Sequence, residues 1–254
     1  MSIQRYEIGK LHLSAANIQK ALQFIQEHLN QNKKEGSYVC ITNTRTAYQA
    51  NSDNIYLEIQ NKSLMTLPDG MPLVWLARLH GFSSVSRVSG KDLMDAVFSS
   101  SVEKKYSHFF YGGIEKRNEE MIQRINTMYP GIHIVKVEAP PFQPIEQFDI
   151  EALAKQINQI KPTFFWCGLG APKQEILISR LSSKLDSGTI SIGVGLAFDY
   201  FSGTVRRAPL WMQRFGLEWL YRLIQQPNNV SRAIKPFIWM LRMLIKNIFI
   251  KNQA

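Results

Sequence analysis

Asp69 stands in the run Leu67-Pro68-Asp69-Gly70-Met71-Pro72-Leu73-Val74-Trp75. Gly70 permits a turn that a residue with a Cβ resists. Pro72 suits the first turn of a helix, where a backbone N–H has no partner to lose. An apolar run, Leu64 to Leu67, comes just before. Asp69 therefore falls on a strand-to-helix loop, where layered α/β proteins carry their chemistry. Two roles fit a carboxylate there. It takes the proton of an acceptor hydroxyl as a general base, or it caps the helix that follows.

Three further stretches carry polar groups in a useful order. Arg87-Val88-Ser89-Gly90-Lys91-Asp92-Leu93 reads as a loop feeding a helix N-terminus, a place that favours anions. Arg87 and Lys91 add fixed positive charge; a solvated charge pair beside an ordinary cap is the plainer reading. Gly168-Leu169-Gly170-Ala171-Pro172-Lys173 suits a phosphate, because small residues let the backbone approach and a helix then begins. Asp199 follows the last apolar strand and either binds substrate hydroxyls or holds a turn. Arg206, Arg207 and the arginines of the C-terminal tail complete the supply of cations.

Several chemistries are disfavoured. No GxGxxG follows the first core strand, and no GxxxxGK[ST] occurs, so neither a standard dinucleotide fold nor a P-loop is supported. There is no Asp-x-Asp, and the five histidines are scattered without ligand spacing. The expectation is a site with no metal and no cofactor, where diphosphate charge is met by Arg, Lys and helix termini.

The elements that must position these groups alternate. Helical spacing marks Ser14 to Asn30 with Ser14 as cap, Arg45 to Ile59, Pro72 to His80, Lys116 to Tyr129, Ile150 to Ile160 and a helix from Pro172. Short apolar strands lie at Tyr38–Thr42, His108–Tyr111, His133–Val137, Thr163–Cys167 and Thr189–Gly193. Continuously apolar strands need cover on both faces. The fold class is therefore α/β, a Rossmann-like, mostly parallel sheet between helices. Asn43, Asp69, Gly112-Gly113, Gly168 to Gln174 and Gly195 all follow strand ends and can converge on one crevice.

The chain has 254 residues, 45% of them apolar, enough for a sizeable core. Cys40 and Cys167 sit in apolar runs and read as buried thiols of a reducing compartment. The N-terminus lacks the apolar core of a signal peptide, and no apolar run is long enough to span a bilayer. Net charge is +10 and unevenly placed: from Thr204 onward there are nine Lys or Arg against Glu218 alone. The chain therefore divides into a catalytic domain, residues 1–203, and a basic helical C-terminal appendage, residues 204–254. Trp211 to Gln225 reads as one helix. Val230 to Lys251 reads as a second, without a single acid. In that second helix Arg232, Lys235, Arg242 and Lys246 share a stripe beside a broad apolar arc, Phe237, Ile238, Leu241, Leu244, Ile245, Ile248 and Phe249. Such a helix rests on anionic lipid, or packs on the body or on a second copy. Removing Ile234 to Ala254 is expected to leave a folded core.

Taken in order, four stretches resemble the WecG/TagA/CpsF glycosyltransferase family (glycosyltransferase family 26). They are Pro68 to Trp75, Arg87 to Leu93, Gly168 to Glu175, and Arg207-Ala208-Pro209 with Gly216 to Leu223. The resemblance covers roughly Ser14 to Arg232. It implies an inverting transferase that moves a sugar from a UDP-sugar to a sugar linked by diphosphate to a polyprenol, making cell-surface polysaccharide at the cytoplasmic membrane face. It implies that Asp69 is the general base, that Gln174 lies near the donor and Arg87 at the site, and that Arg222 and Arg232 approach the lipid diphosphate. Thr42, Asn43, Lys91, Gly112, Gly170, Lys173, Asp199 and Arg207 make up the expected substrate-binding set. Two departures stand out. The threonine that many relatives carry two residues before the asparagine is displaced here to Thr42, next to Asn43, and Asn228-Asn229 replaces an arginine after the proline break.

A Rossmann-type oxidoreductase is the rival reading, weakened by the missing fingerprint. A nucleic-acid binder is weaker still, because the body outside the tail is nearly neutral, with 21 basic against 19 acidic residues. The partners expected are a UDP-sugar, a lipid-linked saccharide and an anionic membrane surface, with no nucleic acid; a homo-oligomer stays open.

Overall fold

A computed structural model describes residues 3–31, 33–225 and 230–251. The chain opens with an antiparallel hairpin, β1 (Arg5–Ile8) and β2 (Leu11–Ser14). Gly9 turns it at a φ of 64°, and Asn51 accepts from the Lys10 N–H at 2.8 Å. This hairpin differs from the helix expected from Ser14. The Ser14 hydroxyl accepts from the Thr66 N–H instead, and Asn17 caps helix α1 (Ile18–Asn30).

A six-stranded sheet follows: β3 (Ser37–Thr42), β4 (Met65–Pro68), β5 (Ser107–Gly112), β6 (His133–Glu138), β7 (Phe164–Gly168) and β8 (Ile190–Gly193). Its order is β4-β3-β8-β7-β5-β6, and every pairing is parallel. The reason lies in the side chains. Phe164, Phe165, Trp166 and Cys167 of β7 are all fully buried. Phe164 and Trp166 join one core, with α1, α5 (Gly90–Lys104), α6 (Glu115–Met128) and α9 (Ala197–Ser202). Phe165 and Cys167 join the other, with α7 (Ile150–Ile160) and α8 (Lys173–Ser182). Alternation along one strand thus feeds two helical layers, the Rossmann-like arrangement. Both cysteines are fully buried, and burial pushes both thiols up.

A third core packs the hairpin, α2 (Thr44–Ser52), α3 (Asn54–Lys62) and α4 (Met71–Leu79) against α12 (Val230–Lys251). The single helix expected over Arg45–Ile59 is two helices. Asp53 intervenes, and its carboxylate caps the second by accepting from Ile55 and Tyr56 N–H. The helix expected over Trp211–Gln225 is likewise broken into α10 (Leu210–Arg214) and α11 (Glu218–Gln225), with Gly216 between them at a φ of 72°. A Cβ there would meet Met71 at 2.9 Å, so α10 and α11 turn where they press on α4.

Met240 is buried against this third core, and Trp239 meets Tyr48 of α2 edge-on at 6.0 Å. Ile234, Phe237, Ile238, Leu241, Ile245 and Ile248 remain exposed on α12. Among the described residues no helix is long and apolar enough to cross a membrane.

Candidate active site

The carboxyl ends of the parallel strands carry the polar groups. Asp69 follows β4, half-buried, and its N–H donates to the Thr42 carbonyl at the end of β3, 2.7 Å away. This bond fixes the acid beside Asn43. Gly70, not Asp69, is the N-cap of α4, at a φ of 149° that a side chain resists.

Asn43 stands half-exposed at the start of α2. Its Oδ1 accepts from the Arg45 and Thr46 N–H groups, which holds the first turn of that helix at the crevice. Thr42 is turned the other way. It is fully buried, and its hydroxyl donates to Gln60 at 2.6 Å. The one-residue displacement read in the sequence has this consequence: in a strand, neighbouring side chains face opposite sides.

Arg87 and Arg207 meet at Asp92. Arg207 donates to both Asp92 oxygens and to the Ser89 hydroxyl at 3.1 Å. Arg87 donates to Gln213 at 2.8 Å, to Asp92 at 3.3 Å, and to Glu218 of α11. Burial alone would push the Asp92 carboxyl up. The hydrogen bonds from Arg207 and Ser89, with the charges of Arg207 and Arg87, outweigh it and hold the group below its usual range. Burial alone would lower Arg207; the hydrogen bond and charge of Asp92, then the charges of Glu218 and Asp69, outweigh it and raise the group. Asp69 and Arg207 therefore share one electrostatic neighbourhood.

Asp92, Gln213 and Glu218 are members of this cluster that the candidate set lacked. The spacing Ser89-x-x-Asp92 is a capping-box signature that points to Asp92: the Ser89 hydroxyl accepts from the Asp92 N–H and donates to its carboxylate. No local signal marks Gln213 or Glu218, because they reach Arg87 across more than 120 positions of chain.

On the far side of the crevice, Gln174 is buried, and its Oε1 accepts from the Gly170 and Gly195 N–H groups at 3.1 and 2.9 Å. It braces the turns after β7 and β8. Gly170 has a φ of 79° and open space where a Cβ would go. Gly112, with a φ of 131°, lies so close to β7 that a Cβ would stand 2.7 Å from the Gly168 backbone. Lys173 donates to the Gln143 carbonyl at 2.8 Å and sits over the Phe142 ring. Lys91 pairs with Asp95 at 2.6 Å, over the Phe201 ring. Asp199 lies in α9, so neither a free loop nor a simple turn describes it, and it pairs with Arg117 at 3.0 Å. The side chains of Arg222, on α11, and Arg232, on α12, lie outside the described ones, as do Asn228 and Asn229. Among the described residues no group of three His, Cys, Asp or Glu is placed to hold a metal ion.

A parallel sheet whose strand ends gather an acid, glycine turns and arginines has the layout of an α/β group-transfer enzyme. Residues 6–253 match the family model described as the glycosyl transferase WecG/TagA/CpsF family. The chain belongs to that family and is a glycosyltransferase. It is 32% identical over 219 residues to a Bacillus subtilis (strain 168) protein named N-acetylglucosaminyldiphosphoundecaprenol N-acetyl-beta-D-mannosaminyltransferase, with 86% of this chain and 83% of the relative covered. A protein of the same name from Bacillus spizizenii (strain ATCC 23059 / NRRL B-14472 / W23) is 32% identical over 207 residues, covering 82% and 77%.

Proposed function

We propose that this enzyme moves an N-acetylmannosamine-type or other hexose from a UDP-sugar to a sugar carried on a polyprenyl diphosphate, with inversion at the anomeric carbon. The observation that carries the reading is Asp69: a half-buried carboxylate at the end of β4, on a turn that leaves the capping position to Gly70. In this mechanism an acceptor hydroxyl enters between Asp69 and the donor. Asp69 takes its proton as the oxygen attacks the anomeric carbon from the face opposite the diphosphate. The new C–O bond forms as the bond to the β-phosphate oxygen breaks, and UDP leaves with the electron pair. Arg207 and Arg87 offset the charge that develops there. Asn43, Gly112, Gly170, Lys173 and Asp199 contact the donor or acceptor around this centre, with Lys91, Arg222 and Arg232 on the side of the lipid diphosphate.

The acceptor's tail lies in a bilayer, so the crevice must meet a membrane surface. Three helices support a peripheral placement; the cytoplasmic face is proposed from the family resemblance. Leu210 and Trp211 on α10, Phe215 just after it, and Trp219, Leu220 and Ile224 on α11 are exposed apolar groups. Trp219 meets Phe237 of α12 with ring centroids 5.6 Å apart, which makes the apolar surface continuous. Exposed Lys235, Arg242 and Lys246 flank it, the combination that anionic lipid attracts. Residues 204–254 act in this reading as the acceptor-binding appendage.

The test is a panel of UDP-sugars with a synthetic N-acetylglucosaminyl diphospholipid, followed by UDP release and by mass analysis of the lipid product. A disaccharide lipid formed from one UDP-hexose is the expected result. UDP-sugars left intact across the panel would exclude the reading.

A further inference from the structure

We infer that Glu175 is a positioning residue of the crevice: its carboxyl fixes which way the Gln174 amide faces, and Gln174 in turn clamps the turns after β7 and β8. This rests on reading those turns as the floor of the UDP-sugar site.

Both turns carry glycine at positive φ, 79° at Gly170 and 54° at Gly195. Neither glycine has a side chain to hold its backbone in place. The Gln174 carbonyl oxygen does so by accepting from both N–H groups. Gly193, at the end of β8, leaves the room: a Cβ there would stand 3.0 Å from Gln174 Nε2.

A primary amide is nearly symmetric in shape, so the opposite orientation fits the same space. It would aim an NH2 group at two N–H donors, which repel it. Glu175 Oε1 accepts from Gln174 Nε2 at 2.8 Å and so favours only the orientation that clamps. Glu175 is fully buried, an expensive place for a carboxyl. Burial pushes this acid up, against the lowering pull of the Gln174 hydrogen bond. The Tyr56 hydroxyl is near enough to pull on the titration of this carboxyl, but neither it nor the second Glu175 oxygen reaches hydrogen-bond geometry. The bond to Gln174 is therefore the one well-formed side-chain contact of the acid. A group whose main contact is one amide N–H serves that amide.

The test compares the wild type with Glu175→Gln and Glu175→Leu. Two quantities are read: NMR hydrogen exchange at the Gly170 and Gly195 amides, and UDP affinity by calorimetry. Glu175→Gln still offers a carbonyl to Gln174 Nε2 and should keep both. Glu175→Leu should speed exchange at these two amides and weaken UDP, each by about tenfold, the size of one lost buried hydrogen bond. Exchange at Leu11 and Leu13 of β2 should stay unchanged, which separates positioning from general loosening. Unchanged exchange in Glu175→Leu overturns the inference. So does loosening in Glu175→Gln equal to that in Glu175→Leu, a comparison for which Glu175→Met substitutes if the leucine variant does not fold. Faster exchange with unaltered UDP affinity overturns the link to the donor. If the wild type itself fails to bind UDP, the donor reading falls, and the exchange data alone still decide what Glu175 does.

Discussion

Arg207 holds both carboxylate oxygens of Asp92, at 2.6 and 2.7 Å, and so ties the chain after α9 to the first turn of α5. Arg87 reaches the same acid and, through Glu218, the start of α11. Asp92 thus ties its own stretch of chain to Arg207 directly and, through Arg87, to Glu218, each more than 100 positions away in sequence. Asp92→Asn leaves two guanidinium groups facing a neutral amide. It should destabilise the fold by about 1–3 kcal/mol, because the pair is only partly screened by solvent. Urea denaturation measures it, and an unchanged midpoint would show that the cluster does not support the fold. Because the native Asp92 carboxyl is depressed, its contribution is fully present above the ordinary carboxylate range. It is lost only as the pH falls through that range and below it.

Asp69→Asn should keep the fold and UDP affinity while turnover drops by about 10²–10⁴-fold, the usual worth of a general base. The Asp69 N–H bond to Thr42 belongs to the backbone and survives the change. UDP release with a thermal melt as control measures this. Wild-type turnover in the variant would exclude the base assignment.

His108 gives a separate acid limit. Burial, with a smaller effect from His133, lowers it from 6.5 to about 3. Trp166 donates to Nδ1 at 3.0 Å, so the ring proton sits on Nε2 and faces Ser101. The native state leaves His108 neutral where the unfolded chain protonates it. Its contribution is therefore intact above pH 6.5 and declines by about 1.4 kcal/mol per pH unit between there and about 3. Urea titrations of the wild type and His108→Asn from pH 7 to 4.5 should show the gap between them narrowing as the pH falls. A gap independent of pH would refute the assignment.

The exposed face of α12 is best tested without removing the helix. Met240 is buried in the third core, and Trp239, Met243 and Leu244 pack against it. The expectation that cutting away Ile234 to Ala254 spares the fold does not suit this packing. Deletion would uncover apolar core, at about 25 cal/mol per Å² exposed. Ile238→Ser, Leu241→Ser and Ile245→Ser together alter only the exposed face. The triple variant should melt like the wild type but sediment several-fold less with phosphatidylglycerol vesicles. Undiminished sedimentation would exclude this face. A dimer lost in the variant, seen by analytical ultracentrifugation, would assign the face to a second copy instead.

Much of the crevice was legible because its parts lie at strand ends, and strand ends are local features. Asp69-Gly70, Gly112 and Gly168 to Gly170 could be placed from apolar runs that stop at glycine. Asp53 and Gly216 were harder. Each breaks a helix inside an otherwise regular apolar pattern, by side-chain capping in one case and by contact with α4 in the other. The β1–β2 hairpin was missed although Tyr6, Ile8, Leu11 and Leu13 are inward on both sides of Gly9. Four-residue strands offer too short a pattern to outweigh the helix beyond them.

By itself the amino-acid sequence determined the layers, the parallel sheet and the acid-bearing turn, since each follows from neighbouring residues and their periodicity, while the order of four motifs carried the resemblance to the family. Only the tertiary structure decided that Thr42 faces the interior, that Gln174 braces two turns under the control of Glu175, and that Arg87 reaches Glu218. Those contacts join residues from separate segments or depend on side-chain direction at one position, and only packing fixes them.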